Sequence, residues 1–351
     1  MNGNRLKLLI NLVTFVALGI LIYVSRGQVK DAFGELAGLS VGILLLILPL
    51  RFLSFASVAS IYYSYFKNTG HVAKLKFKEM YRVALELNFI NSVFPSGGVS
   101  GFSYLGLRLK PYDISVANST LAQAIRFLMT FVSFLVYLAV GLLLLAATNQ
   151  ASGLVILIGS SIFSIIIGTA ALGWYIVSSE ERIKAFTAYL PKAINRFFVL
   201  IHRKPEKQVI NIGRIESVFG EMHDRYMELS KDFGQLKGPF WHSLVTNFWE
   251  LLTIYMVYLA FGESVNPGAI ILAYGVANLA GLVAIFPGGV GVYEGLMASV
   301  LIASGIDKDL AIVTTIIYRA YNLLIFVPVG FALYQMALNE HLVKRPYAGT
   351  K

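Results

Sequence analysis

The chain reads Phe286-Pro287-Gly288-Gly289-Val290 in the middle of an apolar stretch that runs from residue 267 to residue 304. A second apolar stretch, 81–109, is interrupted by nearly the same motif, Phe94-Pro95-Ser96-Gly97-Gly98-Val99. Proline lacks the amide proton that an α-helix uses, and glycine adopts backbone angles that other residues avoid. Each half is too short to cross a bilayer with ease, because a span takes about 20 residues. Each stretch therefore predicts either a kinked span or a re-entrant hairpin of two half-helices.

Six other stretches are long and apolar enough to be full membrane spans. Of 351 residues, 57% are hydrophobic and 14% are charged, whereas a typical soluble domain has about 25% charged residues. The predicted spans are residues 8–25, 40–66, 116–147, 152–178, 240–261 and 310–337. The predicted fold class is an all-α polytopic membrane bundle with about six full spans.

The charges beside the two broken stretches favour re-entrant hairpins over kinked spans. The first stretch is flanked by Lys67, Lys74, Lys76, Lys78, Arg82, Arg108 and Lys110. The second is flanked by Glu263, Asp307, Lys308 and Asp309. Short loops rich in Lys and Arg stay on the cytoplasmic side. Every short loop follows this rule if the hairpin at 81–109 opens to the cytoplasm and the hairpin at 267–304 opens to the outside. Both termini are then cytoplasmic, in a cell membrane.

The order of predicted elements repeats once along the chain. Residues 1–150 contain two spans, a hairpin and a span, and residues 151–351 contain the same series with an insert and a basic tail. Each copy has three full spans, so the second copy is inverted relative to the first. Paired Gly/Pro-interrupted segments in inverted repeats indicate a transporter's binding site.

The insert, residues 179–238, has eleven Lys or Arg against eight Asp or Glu. Apolar residues recur in it at helical spacing, so we expect amphipathic helices on the inner leaflet. A regulatory or partner-binding role for this insert stays open.

Two arginines fall inside predicted spans, Arg126 and Arg319, each in the first half of the helix that follows a hairpin. Insertion scales assign a cost of about 2.5 to 3.5 kcal/mol to an arginine at the centre of a span. One explanation is an internal salt bridge or a bond to broken-helix carbonyls. The other is an anion site, because arginine binds phosphate bidentately and each hairpin's second half-helix begins with free N–H groups. The tip residues would be Pro95, Gly97, Gly98, Pro287, Gly288 and Gly289.

Several other polar residues lie at membrane depth. Glu294 is expected to pair with an arginine, to bind a head-group amine or to carry a proton. The remaining candidates for a substrate path are Asn88, Asn91, Asn278, Tyr318 and Asn322. Interhelical hydrogen bonds or aromatic packing explain them equally well. Arg51 and Glu250 are expected to form a structural ion pair, direct or mediated by Glu86.

The residue inventory excludes several classes of function. The chain has no cysteine and five scattered histidines, and it contains no P-loop, Rossmann fingerprint or Gly-x-Ser-x-Gly motif. We therefore expect no catalytic residue, metal or cofactor. The net charge of +10 fits cytoplasmic loops beside anionic lipid better than nucleic-acid binding.

The stretch Phe286-Pro287-Gly288-Gly289-Val290-Gly291-Val292-Tyr293-Glu294-Gly295, followed by Gly305-Ile306 and Tyr318-Arg319, resembles the C-terminal signature of the lysylphosphatidylglycerol synthase transmembrane region, the flippase-like domain. Asn91-Ser92-Val93-Phe94-Pro95-Ser96-Gly97-Gly98 is similar to the first hairpin of that family. The resemblance covers essentially the whole chain. In the bacterial multiple peptide resistance factor this region flips aminoacylated phosphatidylglycerol, which a separate soluble domain makes.

The resemblance implies a stand-alone flippase-like protein. Many relatives carry an acid after the first Pro-Gly turn, whereas residues 100–103 here have none. Other lipids, including polyprenyl-phosphate-linked sugars, are therefore also implied as substrates.

The sequence thus predicts a lipid flippase or scramblase whose partners are the bilayer and a phosphate-bearing lipid. The alternatives are a secondary transporter of a small soluble anion and a membrane scaffold that recruits a lipid-modifying enzyme. A homo-oligomer and a cytoplasmic synthase partner stay open.

Overall fold

A computed structural model describes residues 39–70, 74–94, 99–183, 231–281 and 289–343, together with scattered residues between 16 and 30 and between 185 and 230. The described residues form helices and turns without a strand. The predicted all-α class is therefore confirmed.

The helices with defined bounds follow one another as α1 (Val41–Asn68), α2 (Phe77–Val93), α3 (Val99–Leu109), α4 (Val116–Ala147), α5 (Gly153–Val177), α6 (Lys237–Ala260), α7 (Pro267–Gly281), α8 (Val292–Ala303), α9 (Lys308–Tyr321) and α10 (Val327–Val343). Two short 3₁₀ turns, Lys110–Tyr112 and Phe233–Leu236, precede α4 and α6. A π-helical segment, Asn322–Phe326, joins α9 to α10.

Five helices in the described part of the chain are long and apolar enough to cross a membrane, namely Val41–Asn68, Val116–Ala147, Gly153–Ile176, Phe233–Ala260 and Lys308–Glu340. They correspond to five of the six predicted spans. The first predicted span, 8–25, lies mostly outside the described residues, as do most of the insert 179–238 and the basic tail. The number of six spans therefore stays a prediction.

Three helices begin at side chains that accept hydrogen bonds from free backbone N–H groups. The Ser115 side chain accepts from the backbone of Asn118 at 3.1 Å, and the Ser152 side chain accepts from Val155 at 3.3 Å. Asp307 accepts from Asp309 and Leu310 at 3.0 Å each. Serine and aspartate are favoured N-caps for this reason, so the sequence itself fixes where α4, α5 and α9 begin.

Helices α2 and α3 fold back on each other. Arg108, near the end of α3, lies 3.5 Å from Glu79, near the start of α2, and its Nε lies 3.0 Å from Glu86. The chain therefore enters and leaves this first hairpin at the same end. Residues 95–98, which include the predicted tip, lie outside the described residues.

Helices α7 and α8 form a second hairpin. The residues just before α7 and just after α8, including Asn266 and Gly305, line one cavity of about 470 Å³. This second hairpin also opens at a single end of the bundle. Of its predicted tip, Gly289 is described and is buried with a φ of 65°, a backbone angle that glycine adopts readily.

The two hairpins open at opposite ends of the bundle. Tyr65 and Phe66, at the end of α1, pack with Met80 and Leu109 of the first hairpin. At the other end of α1, the Ser40 amide donates to Ala260 at 3.0 Å, and the neighbouring Phe261 lines the cavity of the second hairpin. Since α1 separates these ends, the hairpins enter the bundle from opposite directions.

Each hairpin packs against the last long helix of the other half of the chain. Phe89 of α2 contacts Phe331 and Tyr334 of α10, with ring centroids 5.3 and 5.4 Å apart. Reciprocally, Phe134 of α4 contacts Tyr274 of α7, with ring centroids 5.8 Å apart. The two halves therefore interlock through equivalent contacts.

The last long helix contains a wide turn. The Val327 amide donates to the Asn322 carbonyl, five residues earlier, where an α-helix would use a carbonyl four residues earlier. Pro328 follows directly, and proline within a helix removes one donor and crowds the preceding turn. Such π-turns are rare and are frequent at functional sites.

Candidate functional site

Arg126 lies in the first half of an apolar helix without a countercharge. It is the eleventh residue of the 32-residue α4, about 15 Å along the helix from its start at 1.5 Å per residue. Its guanidinium lies 5.0 Å from the Phe127 ring centroid, and its buried Nε has no hydrogen-bond partner. Within the described ranges, no carboxylate forms a salt bridge with it. Arg126 is therefore a half-buried charge that the described protein leaves uncompensated.

Three neutral polar side chains cluster about one helical turn from this arginine. Gln123, one turn earlier on α4, is fully buried and accepts a hydrogen bond from the Tyr62 hydroxyl, while its Nε2 has no partner. A Cβ on Gly101 would lie 2.6 Å from Asn91 Oδ1 and 3.2 Å from Gln123 Nε2, so both side chains converge on the backbone of α3. Asn91 Oδ1 is also buried without a partner. We call Tyr62, Asn91, Gln123 and Arg126 the first-hairpin cluster.

Arg319, by contrast, is compensated inside the protein. Its Nε donates to Glu294 Oε1 at 2.8 Å, and its guanidinium lies 4.6 Å from the Tyr293 ring centroid. The second oxygen of Glu294 accepts from the Gly291 backbone N–H at 2.6 Å, at the start of α8. Glu294 thus caps a helix and pairs with an arginine, as its place in the first turn favours. Of the two explanations for a buried arginine, the internal salt bridge describes Arg319.

A second polar network ties together the centre of the bundle. Arg51 of α1 forms an ion pair with Glu250 of α6, which also accepts from Ser54 at 2.6 Å and from Tyr318 at 2.9 Å. Asn322 accepts from Arg51 at 3.4 Å and from Asn88 at 3.1 Å. These hydrogen bonds join α1, α2, α6 and the last long helix.

The central network uses three residues that the sequence suggested for the substrate path, Asn88, Tyr318 and Asn322. Asn278 donates at 2.8 Å to Tyr274 of its own helix. These four side chains therefore have partners within the protein, unlike the Oδ1 of Asn91.

Glu86 belongs to a third network and does not mediate the Arg51–Glu250 pair. It is fully buried and lies 3.2 Å from Arg82 and 3.0 Å from Arg108, and it accepts from Tyr104 at 2.7 Å. The reason is rotation along α2, because residues two apart point to nearly opposite sides of a helix. Glu86 faces α3, whereas Asn88 faces the central network.

Comparison with known proteins places this architecture in a family. The profile of the lysylphosphatidylglycerol synthase TM region matches residues 8–330. The chain belongs to this family. A UPF0104 membrane protein of Methanothermobacter thermautotrophicus is 32% identical over 174 residues, which are 49% of each chain. A UPF0104 membrane protein of Pyrococcus horikoshii is 22% identical over 180 residues, 50% of this chain and 52% of the relative.

This member of the lysylphosphatidylglycerol synthase TM family thus spans about half the length of the curated relatives it matches. No solved structure matches it. Membership of the family and the long apolar helices together show a multi-pass membrane protein.

Sequence reasoning missed two residues of the first-hairpin cluster in this family member, Tyr62 and Gln123. A signal for Gln123 was present, because it precedes Arg126 by three residues and residues three apart share a helix face. Tyr62 gave no such signal, since only the packing of α1 on α4 brings it there. The sequence also indicated that Arg319 has a carboxylate partner and Arg126 has none, because an acidic residue, Glu294, follows the second Pro-Gly turn and no acid follows the first.

Proposed function

We propose that this chain moves the phosphate-bearing head group of a lipid between the leaflets of a cell membrane, as a flippase or scramblase. The observation that carries the proposal is the uncompensated Arg126 beside the first hairpin. A charge at that depth costs about 2.5 to 3.5 kcal/mol, and a bound phosphate offsets this cost through charge-assisted hydrogen bonds. The lipid tails stay in the bilayer while the head group passes.

In this proposal both hairpins are re-entrant and lead towards the middle of the bilayer from opposite sides. Their opposite openings in the bundle support this arrangement, as does the first hairpin's packing beside α10 and the second's beside α4. The first hairpin opens among basic residues such as Lys76, Lys78 and Lys110, which favours the cytoplasmic side. The second opens beside Glu263 and Asp307, which favours the outside. The two termini are then cytoplasmic.

Single cysteines test this topology directly, because the chain has none of its own. We expect Lys76→Cys and Lys110→Cys to react with a membrane-impermeant maleimide only after cells are permeabilised. We expect Lys308→Cys to react in intact cells. All three lysines are exposed, so they form a matched set. Labelling of Lys76→Cys and Lys110→Cys from opposite sides would contradict the first hairpin, and labelling of Lys110→Cys and Lys308→Cys from the same side would contradict the second.

Reconstitution tests the activity. Purified protein is placed in liposomes with a trace of a tail-labelled fluorescent anionic phospholipid, and dithionite is added outside to bleach the accessible label. We expect the bleached fraction to exceed that of protein-free liposomes, because lipids from the inner leaflet become accessible. Equal bleaching would refute lipid translocation. Uptake of a soluble phosphate ester without lipid movement would instead favour a small-anion transporter.

A further inference from the structure

The first-hairpin cluster has a specific set of free hydrogen-bonding atoms. Two are donors, the Nε of Arg126 and the Nε2 of Gln123, and one is an acceptor, the Oδ1 of Asn91. All three are buried, and Gln123 is wholly inaccessible to solvent. Two of them, on Asn91 and Gln123, lie beside Gly101, and the third lies one helical turn after Gln123. Buried polar atoms are almost always hydrogen-bonded in folded proteins, so three free atoms in this cluster indicate a missing ligand.

We infer that this cluster binds the monoanionic phosphodiester of a lipid whose head group bears hydroxyls, such as glycerol or a sugar, and that it discriminates against aminoacylated head groups. The inference rests on the proposed function and names its substrate class.

Charge is the first argument for this class. The cluster carries one positive charge, from Arg126, so a monoanion neutralises it, whereas a dianionic phosphomonoester leaves an excess negative charge. An aminoacylated head group brings an ammonium, which needs a carboxylate. The buried or largely buried carboxylates Glu86, Glu250 and Glu294 of the described bundle are already paired with arginines. Burying a second unpaired cation beside Arg126 is unfavourable.

Hydrogen-bonding chemistry is the second argument. The two free oxygens of a phosphodiester only accept hydrogen bonds, which matches the donors on Arg126 and Gln123. The oxygen of Asn91 needs a donor, and a head-group hydroxyl supplies one. Gly101 lets the Asn91 side chain lie against the backbone of α3, because a Cβ at that position would come within 2.6 Å of the Asn91 oxygen.

The second half of the chain supplies the internal contrast. There the arginine, Arg319, is paired with the Glu294 carboxylate, and its guanidinium lies over the Tyr293 ring. The described protein therefore offers one anion site per chain, on the first hairpin, and the equivalent place on the second hairpin is filled by the protein's own side chains.

Lipid selectivity tests the inference in the full chain. Binding in detergent micelles and translocation in liposomes are measured for tail-labelled phosphatidylglycerol, lysylphosphatidylglycerol and phosphatidic acid. We expect phosphatidylglycerol to be preferred by about tenfold or more, the effect of one hydrogen bond to a charged group. Soluble glycerophosphoglycerol is tested as competitor and as cargo, and we expect neither strong competition nor uptake.

The variant Gln123→Glu separates a ligand role from a structural one. Glutamate has nearly the same shape and keeps the acceptor for Tyr62, but it places a negative charge three residues before Arg126, within pairing distance on the helix. We expect phosphatidylglycerol binding and translocation to fall by roughly 10- to 100-fold, with no loss of thermal stability. Gln150→Glu is the matched control, because Gln150 is exposed and accepts a hydrogen bond from Asn266 that glutamate can also accept.

The outcomes are distinguishable. Binding of phosphatidylglycerol without any lipid movement would support the binding site and refute the proposed function. The inference would be overturned, and the proposed function kept, if lysylphosphatidylglycerol or phosphatidic acid were translocated as well as phosphatidylglycerol. Full activity of Gln123→Glu would have the same consequence. Preferential uptake of soluble glycerophosphoglycerol would assign the site to a free anion.

Discussion

Replacing Arg126 by glutamine is expected to reduce lipid translocation to the rate of protein-free liposomes and to leave the protein at least as stable as before. The head group loses its charged partner, and a hydrogen bond to a charged group contributes about 1.5 to 3 kcal/mol, or roughly 10- to 150-fold. The stability does not fall, because the change removes an uncompensated charge whose insertion costs about 2.5 to 3.5 kcal/mol. The bleaching assay and thermal unfolding in detergent measure the two effects.

Two further variants make the Arg126 result interpretable. Arg126→Lys keeps the charge but loses the planar bidentate donor, so we expect partial activity. Arg182→Gln removes an exposed arginine that donates at 2.9 Å to the Tyr175 carbonyl, and we expect no change in translocation. Full activity of Arg126→Gln would rule out the proposed phosphate contact, and lower stability would show that Arg126 has a structural partner.

The Arg319–Glu294 pair is expected to behave in the opposite way. The two side chains are 14% and 9% exposed, so either Arg319→Gln or Glu294→Gln leaves a largely buried charge alone. Removing one partner of a buried pair typically costs about 3 to 5 kcal/mol. The double variant should recover most of this loss, because it leaves neither charge. Glutamine at 294 still offers an oxygen to the Gly291 amide, so the helix cap is retained.

Unfolding of the four proteins by SDS in mixed micelles gives the coupling energy of this pair. Glu340→Gln is the control, because Glu340 pairs with Arg82 at 3.3 Å with a side chain that is 45% exposed, and exposed pairs contribute about 0 to 1 kcal/mol. Single variants that keep full stability but stop translocation would make Glu294 a gate or a proton site.

The spans were predictable because a long apolar stretch has few alternatives to a helix. The predicted span 116–147 coincides with α4, Val116–Ala147, and the predicted break at residues 94–98 separates α2 from α3. Length, hydrophobicity and Pro-Gly interruptions are local properties of the chain, so a sequence states them directly.

The pairing of the intramembrane charges was less predictable, because it depends on which helix faces which. Arg51 and Glu250 are 199 positions apart and meet only through the packing of α1 against α6. Glu86 could have joined them, but its position on α2 turns it towards Arg108. The sequence shows which residues share a face of a helix, but not which helix packs against that face. The direct Arg51–Glu250 pair and a pair mediated by Glu86 were therefore equally compatible with the sequence.

The wide turn at Asn322–Phe326 adjusts the phase of the last long helix. In an uninterrupted α-helix, the face that buries Ala311 and Thr314 would return about one position before Gly330, Tyr334 and Ala337, which are buried in α10. The extra residue in the wide turn thus keeps the buried residues of α9 and α10 on one face of the last long helix. This face contacts α8 through α9 and α2 through α10. A deletion within the turn would rotate one half by about 100° relative to the other. One hairpin would then keep its partner surface, and the other would lose it.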